Sequence, residues 1–164
     1  MSSAATADGP RTVVGIWLLA TAAGEPMADR QRLVKKLNNG VPGINDDEPA
    51  VVTAACELAL KRLFVNGHTE QQITDLVALI RSRITVAEAP AQYEIEGVIK
   101  AALDGVAASA VTLGRQFVIE GLLFAVACLR LALARGEISE LVCRGERVAF
   151  AAGFHPQLSV NPDL

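Results

Sequence analysis

Acids, bases, thiols and hydroxyls at workable spacing are the raw material of protein chemistry, and this chain offers few of them. It has three cysteines, Cys56, Cys128 and Cys143, and two histidines, His68 and His155. No pair of cysteines forms C-x-x-C and the histidines are far apart in sequence, so no local ligand cluster suggests a zinc site. The odd number of cysteines, all inside apolar helical patterns, points to reduced thiols in a cytoplasmic protein rather than to a disulfide framework. Ser109, Ser139 and His155 are the groups for a nucleophilic site, yet neither serine sits in a G-x-S-x-G elbow. The phosphate-cradling patterns G-x-G-x-x-G and G-x-x-x-x-G-K-[ST] do not occur. Asp46-Asp47-Glu48 lacks the spacing and central glycine of a calcium loop and reads as an acidic cap on the helix that follows. His68 reads as a turn residue beside a helix start. The expectation is therefore no catalytic residue, no cofactor and no metal, with an unrecognised helical active site as a third reading.

A nucleic-acid reader is the second reading. Residues 56–84 have a helix–turn–helix shape with its turn at Val65-Asn66-Gly67-His68. In that reading Gln71 and Gln72 contact adenine edges, while Arg81 and Arg83 contact phosphates. Glu70 and Asp75 at the start of the second helix repel phosphate, and Asn66 and His68 interrupt the apolar pattern of the turn. An ordinary antiparallel helical hairpin is the preferred reading of this segment. The net charge of −3 also argues against general affinity for nucleic acid, and aromatic residues at 4% leave few stacking platforms for bases.

The third feature is an apolar segment at 117–134. Residues 121–129, GLLFAVACL, hold no polar side chain. The segment is about long enough to span a bilayer, which takes roughly 20 residues. Glu120 and Arg130 oppose insertion, as does the missing basic flank. Gln116, Glu120 and Arg130 share one sector of the helix. Glu120 and Arg130 are about 15 Å apart along the axis, too far to pair, so each needs a partner from another helix or chain if buried. A helix apolar on nearly every side is usually the centre of a bundle. Phe117, Glu120, Phe124 and Arg130 are accordingly the candidate interface or buried polar positions, and self-association through 113–133 is expected.

The elements that must position these residues read as helices. Pro10 opens a helix carrying Val13, Val14, Trp17, Leu18 and Thr21, with Gly24 as its stop. Its apolar run 12–20 and Ala20-Thr21-Ala22 also resemble a secretory signal, but Asp8 beside Arg11 removes the usual positive charge. Pro26 to Gly40 forms a second candidate, with Leu33, Val34 and Leu37 on one face. Residues 40–48 form a loop, where Asn45 and Glu48 have capping-box-like spacing. Val52, Ala55, Cys56, Ala59, Leu60, Leu63 and Phe64 form the clearest amphipathic stripe. Thr69 and Gln72 form a capping box before Ile73, Leu76, Val77, Ile80 and Ile84. Pro90 precedes Ile95, Val98, Ile99, Ala102 and Leu103, with Glu96 and Lys100 as an i,i+4 pair. The final candidate, 137–152, places Ile138, Leu141, Val142 and Ala149 together, and a hairpin at Arg144-Gly145-Glu146 is its rival.

The chain has 164 residues, 51% of them apolar, enough for one core. For this mass the folded surface is about 7,800 Å². Taken together, the expectation is an all-α bundle of six or seven helices around a central, nearly all-apolar helix at about 112–135. Residues 1–9 are expected to be disordered, 10–152 to form one domain with a weak seam near 86–90, and 153–164 to form a coil tail. Alanine richness fits a high-GC bacterial genome. The function expected is protein–protein interaction, as an adaptor or regulatory component that recognises an unidentified protein partner or another copy of itself. Nucleic acid and membrane are the disfavoured partners.

Overall fold

The computed structural model describes residues 9–25, 47–84, 90–105 and 113–158. The readings placed at 1–8, 26–46, the 86–89 part of the seam, Ser109 and the end of the tail at 159–164 lie outside them. Six helices make up the described fold: α1 Val13–Ala22, α2 Asp47–Leu63, α3 Glu70–Ser82, α4 Gln92–Asp104, α5 Leu113–Arg130 and α6 Arg135–Ala151. No strand is present among the described residues, so the class is all-α.

Local chemistry accounts for the ends. Thr12 caps α1, its Oγ1 accepting from Gly15 N. The expected box opens α3: Thr69 Oγ1 accepts from Gln72 N, and Gln72 Oε1 accepts from Thr69 N at 2.8 Å. Gly105 ends α4 in the left-handed region. α5 ends differently. Ala132 sits there at φ 54°, while Leu133 N donates back to Cys128 O. An alanine holds a position that usually goes to glycine.

Packing sorts the helices into a middle and a periphery. α2 contacts α1, α4, α5 and α6, and α5 contacts α1, α2, α3 and α4. α2 and α6 cross closely at Gly145. A Cβ on Gly145 would meet Ala55 N at 3.0 Å and Val51 O at 3.1 Å, so only a residue without a side chain fits between the two backbones. The expected stripes on α2 and α3 face inward: Val52, Ala55, Cys56, Ala59 and Leu60 are buried, as are Ile73, Leu76, Val77 and Ile80. Phe117 stacks on Trp17 with ring centroids 5.0 Å apart, which fastens α1 to α5.

The final candidate is one helix through 144–146, as its apolar spacing predicts, and not the rival hairpin, because Ile138, Leu141, Val142 and Ala149 bury one continuous face of α6. One expectation is revised. α2 and α3 are not a closely packed antiparallel pair. α3 instead lays its stripe on α4 and α5, where the apolar residues of those helices can cover it. The coil after Gly153 is tied to the start of α1 as far as 158. Pro156 is buried, Val13 N donates to Gln157 O, and Thr12 pairs with Leu158 in an antiparallel bridge.

Candidate functional site

Four glutamates are buried among the described residues: Glu48, Glu94, Glu120 and Glu146. A buried carboxylate is expensive without partners, so each marks a place the fold has been built around. Glu146 projects from α6 into the start of α1. Its Oε2 accepts from Arg11 N at 2.9 Å, Thr12 N at 2.8 Å and Thr12 Oγ1 at 2.6 Å. Its Oε1 accepts from Arg11 N at 3.0 Å. The carboxylate thus takes the N–H groups of the two residues that lead into α1, at the positive end of its dipole. Gly15 makes room for it, since a Cβ there would lie 2.4 Å from Glu146 Oε2.

Glu48, in the first turn of α2, has the same kind of task. Its Oε2 accepts from Gln157 N at 3.0 Å, and burial pushes its carboxyl above the ordinary carboxylate range. Glu94 caps Ala91 N and holds Arg115 by a two-pronged contact, Nε at 3.1 Å and Nη2 at 2.9 Å. The Arg115 guanidinium holds the Glu94 carboxyl below its ordinary range. All three carboxylates act on helix ends and chain segments.

Glu120 is the exception among the expected sites. It lies on α5 against α2, where Thr53 Oγ1 donates to it at 2.7 Å and Gln116 Nε2 at 3.3 Å. Burial raises its pKa, offset in part by these two hydrogen bonds and reinforced by Glu57. Glu120 therefore has the partner from another helix that the sequence demanded. Arg130, grouped with it by helical sector, is exposed and is not a buried polar group of this chain. It sits at the last residue of α5, where its long side chain reaches solvent. Phe117 and Phe124 are buried within the chain, so neither is available to a partner in this fold.

The thiols are not poised for chemistry. Burial pushes Cys56 well above the usual thiol range and Cys128 up to about 12, and raises Cys143. Thiolate is the reactive form, so these groups are inert near neutrality. His68 is exposed and meets the edge of Phe64, as a turn residue would. His155 is exposed, and Ser139 lies beside Cys143 on α6. No cluster of three metal-ligating side chains occurs among the described residues. A cavity of about 190 Å³ between the ends of α1 and α5 and the start of α6 is lined by Ala22, Cys128, Leu129, Leu133, Arg135 and Ile138, among others. It is smaller than most ligand sites, which begin near 300 Å³, and Arg135 at its wall is paired with Glu25.

The two glutamines of the nucleic-acid reading are exposed but engaged within the helix. Gln72 is committed to the α3 cap, and Gln71 Nε2 donates to Asp75 Oδ1 at 2.8 Å. Arg81 and Arg83 lie exposed at the other end of the helix.

The remaining feature is a surface. Val118 is 49% exposed and Leu129 65% exposed, and between them Leu122 and Ala125 are half-buried on the same face of α5. The spacing of four, three and four residues puts all four on one stripe. α1 forms one wall of this face: Trp17 rests on Gly121, where an added Cβ would meet the indole at 3.1 Å. The sequence located the helix correctly for such a surface but pointed to Phe117 and Phe124. The signal that distinguishes the outer face is the heptad-like spacing of Val118, Leu122, Ala125 and Leu129.

No protein-family model, curated protein or solved structure matches the chain. Any functional reading therefore rests on this geometry. No helix among the described residues is long and apolar enough to cross a membrane.

Proposed function

We propose that the protein is a non-enzymatic helical interaction module, an adaptor or regulatory component, that binds a protein partner through the open face of α5. The observation that carries this reading is the uncharged stripe Val118, Leu122, Ala125 and Leu129, left uncovered at both ends in an otherwise well-buried helix. An apolar strip rimmed by a tryptophan wall is the kind of surface that protein partners cover. When the stripe is covered, α5 becomes the central apolar helix of a bundle. The inert thiols and the engaged carboxylates support a binding role over catalysis, and three free thiols suit a reducing, cytoplasmic setting.

Affinity capture with the full chain and with a Val118→Asp/Leu129→Asp variant tests the proposal. Both positions are exposed, so the variant should keep its helical circular dichroism. The expected result is a partner recovered with the wild type and lost with the variant. Equal recovery by both overturns the reading. Retention of the wild type on duplex DNA at low salt, reduced by Arg81→Ala/Arg83→Ala, favours the nucleic-acid alternative instead.

A further inference from the structure

We infer that residues 11–13 and 154–158 form one clasp that opens and closes as a unit while the helices behind it stay packed. Gln157 is its centre. Its carbonyl accepts from Val13 N at 3.0 Å, and its own N–H donates to Glu48 Oε2 at 3.0 Å. One residue thus joins the start of α1 to the start of α2. On the other side Glu146 of α6 accepts from Arg11 N and Thr12 N, and the Thr12–Leu158 bridge closes the ring. Two buried carboxylates from two helices hold the two segments, and the segments hold each other.

The strap 154–158 turns at one place and is lightly held beyond it. α6 is followed by Gly153 at φ 93°, a conformation open to glycine, so the chain turns there without a side chain to lock it. His155, Gln157 and Leu158 are exposed, and the apolar anchors are the buried Pro156 and the half-buried Phe154. Lifting the strap uncovers little apolar surface compared with the stripes of α2 and α5. A segment of that kind opens at lower free energy than the whole fold. Opening also lets water take the place of Gln157 N at Glu48, whose burial is costly.

The segments open together because each sets the geometry of the other. Thr12 is extended, at φ −99° and ψ 154°, and can therefore pair with a second extended segment. Glu146 fixes it there through its N–H and hydroxyl, which sets Val13 N on Gln157 O. Released from Glu48, the strap loses the bond that seats Gln157, and Val13 N loses its acceptor. Released from Glu146, residues 11 and 12 no longer offer the edge on which the strap lies. Contacts that share a partner in this way are coupled rather than additive. A change at the C-terminal strap is thereby felt at the start of α1.

Native-state hydrogen exchange of the full chain, read residue by residue by NMR, tests the clasp. In the wild type the amides of Arg11, Thr12, Val13 and Gln157 should exchange through one shared opening, with the same dependence on urea. They should exchange more readily than the amides of Leu60 and Phe124, which lie within buried helices. Gln157→Pro removes the N–H that Glu48 accepts and keeps the carbonyl. It should speed exchange at Arg11, Thr12 and Val13 about tenfold or more, as loss of one hydrogen bond to a carboxylate implies, although none of the three touches the altered group. Gln157→Ala keeps both backbone groups and should leave exchange unchanged. Glu146→Gln should reciprocally speed exchange at Gln157. Wild-type amides at 11–13 and 157 that differ in urea dependence overturn the inference, as does a Gln157→Pro effect confined to 154–158. An effect spread equally over Leu60 and Phe124 also overturns it, since the two segments then open only with the whole fold.

Discussion

Replacing Glu146 tests whether the fold is closed by one buried carboxylate. Glu146→Ala removes the acceptor for Arg11 N, Thr12 N and Thr12 Oγ1. Thr12 is fully buried, so its N–H and hydroxyl have no water to turn to. A hydrogen bond to a charged group is worth about 1.5–3 kcal/mol, and a stranded buried donor costs about 1–3 kcal/mol. These contributions share one carboxylate and do not add fully, so the loss should be about 3–5 kcal/mol. Glu146→Gln should cost less, about 1–2 kcal/mol, because its carbonyl oxygen can take the place of Oε2, so that only charge assistance and the second Arg11 N contact at Oε1 are lost. Urea unfolding followed by circular dichroism reads both through the midpoint at constant slope, and the alanine variant should melt lower by on the order of 10 °C. Gly15→Ala gives an independent check. Its Cβ would press on Glu146 Oε2 at 2.4 Å, so it should destabilise the wild type and do so less once Glu146→Ala has emptied that space, with Thr12 Oγ1 at 2.8 Å and Pro10 Cβ at 3.0 Å still crowding it. A loss below about 1 kcal/mol for Glu146→Ala, or simple additivity with Gly15→Ala, would refute the reasoning.

Glu120→Gln should stabilise the protein at neutral pH, because burial raises the pKa of Glu120. A raised carboxylate binds its proton more tightly in the folded state, so its contribution is complete at low pH. It is lost as pH rises from the unfolded value through the folded one, and urea midpoints against pH should be flatter there for Glu120→Gln. Ala132→Gly should stabilise by about 0.5–1 kcal/mol, since φ of 54° strains an alanine; a lower melting temperature would count against that account. Gly145→Ala should destabilise by about 2 kcal/mol through its clash with the α2 backbone, measured by the same denaturation.

Much of the fold is legible along the chain because helix formation and capping are local. The α2 stripe, the Thr69–Gln72 box and the Glu96–Lys100 pair at 2.9 Å involve residues three or four positions apart. The buried carboxylates were not legible. Glu48 looked like a dipole-side acid at a helix start, which it is, but its oxygen also fixes Gln157, 109 residues away. Glu146 stood out only as part of the rival hairpin turn, and its partners lie 134 and 135 residues distant. Glu120 was singled out because it interrupts an apolar run, a local signal; its partner Thr53 carries no such mark. Arg130 stood out for the same reason, yet an end position lets it reach water.

The sequence by itself determined that the described chain is helical and where its six described helices lie, since periodicity of apolar residues and end chemistry act within a few turns. It also determined that no familiar catalytic or phosphate-binding pattern is present. Only the tertiary structure decided which acids are buried, that Gly15 and Gly145 are packing positions, and that Val118, Leu122, Ala125 and Leu129 rather than Phe117 and Phe124 form the outward face of α5. Those outcomes depend on which helix lies against which, and that is fixed by the joint burial of stripes far apart in the chain, a condition no single segment carries.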